Sequence, residues 1–333
     1  MRGEMDSKTS DRSCRVRVLV TGGAGRLGIN VCKTFLKNGF QVRVFDLDNK
    51  RNRRSVRELG GKAEILWGDI MQPDSVRKGL EEVDAVVHMA AILPPVAEDK
   101  PALTRRVNVE GTRIIVDLLK EKGGHIPLVF TSSVAVFGPT PNVNELISTD
   151  KNHPNPKGAY AETKVEAEKL IKESGIDYLI LRLTAVLYFT HEVSDLKRMF
   201  SISLNNRIEF CHPDDLALAV LNGVKNFDTL KGNTLVISGG PDQRMLYKDM
   251  IGSILGVMGL PLPPAHKFTQ EPYYLDWYDT SKSQKLLKFQ RKSFADYLKD
   301  YSNGLTRRYS TLFLPFMRYF VGPLFGKAVA RFM

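Results

Sequence analysis

Thr21-Gly22-Gly23-Ala24-Gly25-Arg26-Leu27-Gly28 is the stretch that decides the fold. The apolar run before it, Val16–Thr21, has the character of a buried parallel strand. Leu27–Asn38 after it has helical apolar spacing that stops at Gly39. A turn whose residues lack Cβ lets backbone N–H groups approach phosphate oxygens, and the helix N-terminus adds partial positive charge. Many loops contain glycines, but here strand, turn and helix come in the order that a dinucleotide pyrophosphate site needs. Gly22, Gly25, Arg26, Leu27 and Gly28 are therefore the expected phosphate-binding residues. Asp46, 18 residues beyond Gly28, suits a ribose with both hydroxyls free and repels a 2′-phosphate, which favours NAD over NADP. Lys50, Arg51, Arg53 and Arg54 follow closely and read as a solvated basic helix face rather than a 2′-phosphate site.

Outward from this unit, strands and helices alternate. Gln41–Phe45, Ala63–Trp67, Ala85–Met89, Pro127–Ser132 and Asp177–Leu183 read as strands, and Arg106–Lys120 and Lys157–Glu173 as helices. Right-handed crossovers then give an α/β fold, a Rossmann-like doubly wound parallel sheet, with ligands beyond the carboxyl ends of its strands. The expected organisation is a flexible arm over 1–15 and an NAD-binding core over 16–185. A substrate lobe with segments returning to the core follows over 186–304, then a basic aromatic tail over 305–333. Asp69, with Ile70 after the third strand, has two readings: a partner for the adenine amino group, or a capping acid before Pro73.

The chain has 333 residues, 43% of them hydrophobic and 26% charged, which excludes a largely disordered or collagen-like protein. Its three cysteines, Cys14, Cys32 and Cys211, lie in no ligand-like spacing, so a disulfide scaffold and a zinc ribbon are both excluded and a reducing, cytoplasmic setting is expected. The net charge of +11 sits at the ends: residues 1–60 carry 14 basic and 6 acidic side chains, and 305–333 carry 5 basic and none acidic. A nucleic-acid partner is not expected, because the basic excess does not surround a working cleft. Met1–Arg15 lacks the apolar segment of a signal peptide, and no run of about 20 apolar residues spans a membrane. Tyr309–Met333 combines aromatics, leucines and basic residues without acids, broken by Pro315 and Pro323. It reads either as an interfacial segment making peripheral membrane contact or as a helix docked on its own lobe or on a second subunit.

Tyr160 and Lys164 stand at i and i+4, so a helix presents them on one face. A phenol with a pKa near 10 is a poor base at neutral pH, but a neighbouring ammonium and a cationic nicotinamide stabilise its phenolate. Thr131-Ser132-Ser133 ends the fifth strand, where a serine hydroxyl can bond a substrate carbonyl or alkoxide.

These motifs resemble those of the extended short-chain dehydrogenase/reductases, the NAD-dependent epimerase/dehydratases. The matching pieces are Thr21–Gly28, Asp46, Gly68-Asp69, His88–Ala91, Asn108–Thr112, Phe130–Gly138 and Tyr160–Lys164, in the family's order. The resemblance implies that Tyr160 exchanges the substrate's hydroxyl proton and that Lys164 bonds the nicotinamide ribose and tunes Tyr160. Ser133 takes the place of the family's catalytic serine, ahead of Ser132. Ala90 and Ala91 would line the cofactor's path, and Asn108 would be structural or near the nicotinamide. Family members that dehydrate place acids where Ser132 and Ser133 stand, which speaks against dehydration here. Nucleotide-sugar enzymes clamp a pyrophosphate with arginines; Arg207 matches one, but Phe268–Tyr278 holds aromatics and no arginine where the second belongs. An apolar or smaller substrate is therefore expected, with Ser133, Arg207 and the loop residue His191 as candidate substrate contacts.

Bland readings cover the rest. Cys211-His212-Pro213-Asp214-Asp215 is a strand end running into a helix start rather than a metal cluster, so no metal is expected. His88 is a packed or cofactor-edge residue, and the aromatic run Tyr273–Tyr278 either lines a pocket or packs the smaller lobe. Three function classes remain: an NAD-dependent oxidoreductase on a secondary alcohol or ketone, a UDP-sugar epimerase using NAD transiently, and a non-catalytic NAD-binding protein at a membrane. Homodimerisation is expected only from the family resemblance.

Overall fold

A computed structural model describes residues 16–140, 145–186 and 199–308. His191 and the tail beyond Arg308, like the arm over 1–15, lie outside the described residues. Seven strands form one sheet: β1 (Arg17–Thr21), β2 (Gln41–Asp46), β3 (Glu64–Trp67), β4 (Ala85–His88), β5 (Leu128–Ser133), β6 (Tyr178–Leu183) and, after a short β7 (Arg207–Glu209), β8 (Thr234–Ile237). They lie in the order β3-β2-β1-β4-β5-β6-β8, every neighbour parallel. The direction of travel reverses between β1 and β4, so the carboxyl ends of those two strands frame the crevice in which such sheets bind ligands.

The helices follow from where apolar residues fall. In α1 (Arg26–Lys37), Gly28, Ile29, Val31, Cys32 and Phe35 are buried, forming one stripe against the sheet before the chain turns at Gly39 (φ 82°). Burying a side chain such as Phe35 contributes about 2 kcal/mol. The short α2 (Lys50–Ser55) and α3 (Pro73–Gly79) follow, then α4 (Val96–Asp99), α5 (Pro101–Arg105) and α6 (Gly111–Glu121). Between α5 and α6, Arg106–Glu110 forms a π turn. The single α-helix expected over Arg106–Lys120 is thus a longer helical run that starts at Pro101 and is widened in its middle. α7 (Ala159–Lys172) begins two residues later than the apolar pattern suggests, because Gly158 has φ 92° and cannot continue a right-handed helix.

Beyond β6 come α8 (Pro213–Lys225), α9 (Phe227–Leu230), β9 (Arg244–Leu246), α10 (Tyr247–Val257), α11 (Ser281–Leu287) and α12 (Phe294–Arg308). α8 packs beside α1 on one face of the sheet, burying Leu216, Ala217, Val220 and Leu221 in the same core as Val31 and Phe35. The other face is covered by α3, α6 and α7 around Ile115, Leu119, Phe130 and Ile171. A further core around Phe210, Met250, Tyr278 and Tyr301 belongs to the lobe built from β7, β9, α10 and α12. Glu209 organises that lobe: its fully buried carboxylate accepts bonds from Gly240 N (2.8 Å), Arg244 Nε (2.9 Å) and Tyr278 N (2.9 Å). Among the described residues no helix is long and apolar enough to cross a membrane.

Candidate active site

The glycine turn is held by sterics. Gly22 has φ 70°, and a Cβ there would lie 2.8 Å from Ala90 N, so the backbone after β4 approaches that of Gly22 with no room for a side chain between them. A Cβ on Gly28 would sit 2.3 Å from Gly22 O. α1 starts with no side-chain cap and no acid in its first turn, so the turn presents helix N–H groups and their partial charge without competition. This cradle fits a dinucleotide pyrophosphate.

Asp46 braces the turn from β2. Its carboxylate accepts from Ala24 N (3.0 Å), Leu47 N (2.8 Å) and Asn52 Nδ2 (3.0 Å). Burial pushes its carboxyl above the ordinary range, against these hydrogen bonds. With about four acceptor directions on a carboxylate, three are used by the chain. Asn52 escaped the sequence reading, since nothing in its local pattern separates it from the basic face around it. Of that face, Arg53 pairs with Asp48 (2.6 Å). Asp69 accepts Met71 N through Oδ1 at 2.9 Å, which is the turn-forming role before Pro73. Ile70 is buried against Gly111, where an added Cβ would meet its Cγ2 at 3.1 Å.

His88 closes the crevice floor. Nδ1 meets Thr21 Oγ1 at 2.7 Å and Nε2 meets Thr112 Oγ1 at 3.0 Å. Thr112 Oγ1 donates to Asn108 O, and Thr21 Oγ1 accepts from Met89 N and Ala90 N, so each hydroxyl has one role left toward the ring. The imidazole is thereby the Nε2–H tautomer, donating to Thr112 and accepting from Thr21. Burial holds its pKa down near 3, so it stays neutral and serves as a strut. Ala90 and Ala91 continue from it, half-buried. Asn108, in the π turn, binds both polar groups of Ile92 (Oδ1 to N 2.8 Å, Nδ2 to O 3.1 Å) and reaches Thr163 Oγ1 at 3.2 Å.

Ser133, Tyr160 and Lys164 come together where β5 ends against the first turns of α7. The Ser133 hydroxyl lies close enough to the Tyr160 phenol to ease its ionisation, and it accepts Ala135 N at 3.1 Å. Lys164 Nζ donates to Thr131 O at 2.8 Å and lies 4.7 Å from the centre of the Phe130 ring. Burial pushes the phenol up to about 12 and Lys164 down to about 8, the latter partly offset by the Glu168 carboxylate. The expected lowering of the phenol's pKa is therefore not supplied by these residues alone: Lys164 faces a carbonyl, and the phenol has lost its water. Ser132 points elsewhere, donating to Glu168 Oε1 at 2.6 Å; Glu168 in turn binds Arg182 at 2.9 and 2.7 Å. That sends the two serines to different partners.

On the substrate side, Tyr274 packs against the cluster of Ala97, Ala135, Tyr160 and Ala161, and the Tyr273 phenol is close enough to oppose ionisation of Tyr160. Their rings stand 4.0 Å apart with a 2.8 Å bond between hydroxyls. The aromatic run thus serves both readings: Tyr278 is buried in the lobe core, and Tyr273 and Tyr274 pack against that core while also approaching the phenol. Arg207 lies 2.7 Å from Asp276 Oδ1 and over the Trp277 ring at 4.3 Å, and it also donates to Glu145 O. Asp276 is held on its other side by the Thr140 hydroxyl.

His212 caps α8, its Nδ1 accepting Asp214 N at 3.2 Å, with Nε2 3.5 Å from Asp300 Oδ2. These three residues cluster, but one ring nitrogen is already taken by the amide and both acids are exposed.

The profile of the NAD dependent epimerase/dehydratase family matches residues 18–193, and the chain belongs to that family, whose cofactor is NAD. It is 35% identical over 227 residues to the uncharacterized protein y4nG of Sinorhizobium fredii, covering 63% of this chain and 54% of that one. It is 28% identical to a D-erythronate dehydrogenase of Cupriavidus necator, over 51% of this chain and 55% of that one. The chain thus spans about half the length of these curated relatives. A UDP-glucose-4-epimerase of Stenotrophomonas maltophila, solved with bound NAD, superposes with a TM-score of 0.74 at 19% identity over 88% of this chain and 99% of that one, a likeness of fold.

Proposed function

We propose that the protein is an NAD-dependent oxidoreductase interconverting a secondary alcohol and its ketone, with an uncharged, largely apolar substrate body. The observation that carries this is the placement of Ser133 beside the Tyr160 phenol, with Lys164 one helical turn further along α7. NAD, when bound, supplies the hydride acceptor or donor. Gly22–Gly28 hold its pyrophosphate at the start of α1. Asp46 takes a ribose hydroxyl with the acceptor direction left to it, and Ala90, Ala91 and Asn108 border the nicotinamide end.

Tyr160 moves the proton at the substrate oxygen and Ser133 bonds that same oxygen. With its pKa held near 12 the phenol is protonated at neutral pH, so it can give a proton to a ketone oxygen, but it stays a weak acid until the phenolate is stabilised. Lys164, cationic below about pH 8, stabilises the phenolate this leaves. An uncharged substrate is favoured because Arg207 is already engaged by Asp276 and Trp277, and because Tyr274 packs against Tyr160 with Tyr273 close to the phenol.

The test is to incubate purified protein with NAD against panels of secondary alcohols and UDP-sugars, following absorbance of the reduced nicotinamide. Accumulating NADH with an alcohol is the expected result. Conversion of a UDP-sugar to its epimer without net NADH would establish the epimerase alternative. NAD binding with no turnover of either panel would leave the non-catalytic reading.

A further inference from the structure

α7 carries the phenol on its second residue, yet it has no cap of its own: Gly158, the residue before it, has no side chain and φ 92°. The first N–H groups of a helix lack internal partners, so an uncapped end frays. Here a carboxylate from 61 and 62 residues upstream fills the role. Glu98 Oε2 accepts Ala159 N at 2.8 Å and Glu98 Oε1 accepts Tyr160 N at 3.1 Å. A Cβ on Gly158 would stand 2.8 Å from Glu98 Oε2, so the glycine is what admits the carboxylate.

The carbonyl of Tyr160 leads back to the same loop. Thr163 Oγ1 donates to Tyr160 O at 2.9 Å and receives Asn108 Nδ2, and Asn108 grips both backbone groups of Ile92. Between the two anchors Ala97 is fully buried in the cluster with Tyr160, Ala135 and Ala161. Both polar groups of the Tyr160 backbone are thus tied to residues 92–98, the segment that continues from Ala90 and Ala91 beyond β4.

We propose that Glu98 is a positioning residue for proton transfer: its carboxylate fixes the start of α7, and with it the Tyr160 phenol, to the loop that leaves the nicotinamide end of the crevice. Each carboxylate oxygen of Glu98 is given to an α7 amide, so it acts through the Tyr160 backbone. This role rests on the oxidoreductase reading above. A shift of about 1 Å in a reacting group costs on the order of 100-fold in rate, whereas cofactor binding at the glycine turn lies on another element and is unaffected.

The test uses Glu98→Ala and Glu98→Gln in the full chain, with Asp99→Asn as the exposed neighbour control, on the alcohol that turns over best in the panel. Both glutamate variants fold, since the side chain is exposed. The expected result is a kcat lower by about 100-fold in Glu98→Ala and about tenfold in Glu98→Gln, which keeps one acceptor, with KM for NAD within about twofold. Hydrogen exchange of the Ala159 and Tyr160 amides accelerates in the same order, and Asp99→Asn changes neither. Faster exchange with kcat within about twofold of the parent would reduce Glu98 to a cap and overturn the proposal. Unchanged exchange at both amides would overturn the tether itself. If the parent turns over no substrate, the oxidoreductase reading fails and the positioning role falls with it, while the exchange measurement still reports whether the tether exists.

Discussion

The turn after β1 and the wall formed by Tyr273 and Tyr274 both serve the same crevice, but they are built differently. In the turn, function is carried by backbone: φ 70° at Gly22 and the absence of a Cβ at Gly28 set where N–H groups point. In the wall, function is carried by side chains whose neighbours lie far away in sequence, as when Asn206 Oδ1 holds Tyr273 N and Asp276 holds Arg207. Backbone devices tolerate few residue types and leave a spaced signature. Packed side chains tolerate many and leave little.

The comparison breaks most sharply at the phenol shared by both regions. Tyr160→Phe should lower kcat by about 1,000-fold while leaving NADH affinity, read by fluorescence titration, unchanged. Retained turnover would mean that the proton travels elsewhere. Gly28→Ala places a methyl 2.3 Å from Gly22 O, and should weaken NAD binding by about thirtyfold, about 2 kcal/mol of strain, measured by calorimetry.

Lys164 sharpens the comparison through stability. Burial brings its pKa down from the ordinary 10.5 to about 8, so the unfolded chain binds the proton more tightly and folding is opposed wherever the amine is charged. Lys164→Met should therefore stabilise the protein by up to about 3 kcal/mol below pH 8 while abolishing turnover, and the gain should vanish between about pH 8 and 10.5 in thermal unfolding. The smallest effect concerns the wall: Asp276→Asn releases Arg207 from its carboxylate and should turn undetectable UDP binding into weak binding, about millimolar by calorimetry. Tight UDP binding by the unmodified chain would instead show that Arg207 already serves an anion.

The six strands β1 to β6 along the chain, the glycine turn and the Tyr160–Lys164 spacing are readable in the sequence, because each rests on local periodicity or fixed spacing. β8 was not: Thr234–Ile237 is four residues long and pairs with β6 only after the intervening lobe segment, so no local pattern announces it. The π turn at Arg106–Glu110 was read as ordinary helix, since one extra residue per turn hardly disturbs apolar spacing. Ser132 and Ser133 alternate along a strand, so their opposite directions follow from the pleat, but which one met Tyr160 needed the position of α7. Glu98 was invisible, because a cap borrowed from another segment has no signature near the helix it serves.

That late eighth strand has a consequence for biosynthesis. Until Thr234–Ile237 leaves the ribosome, Tyr178–Leu183 is an open border with the amide of Ile180 unmet, the group that Asn233 O later receives. A nascent chain therefore carries a sticky margin while the segment between β6 and β8 is made, and shortened versions ending near residue 186 should precipitate rather than fold.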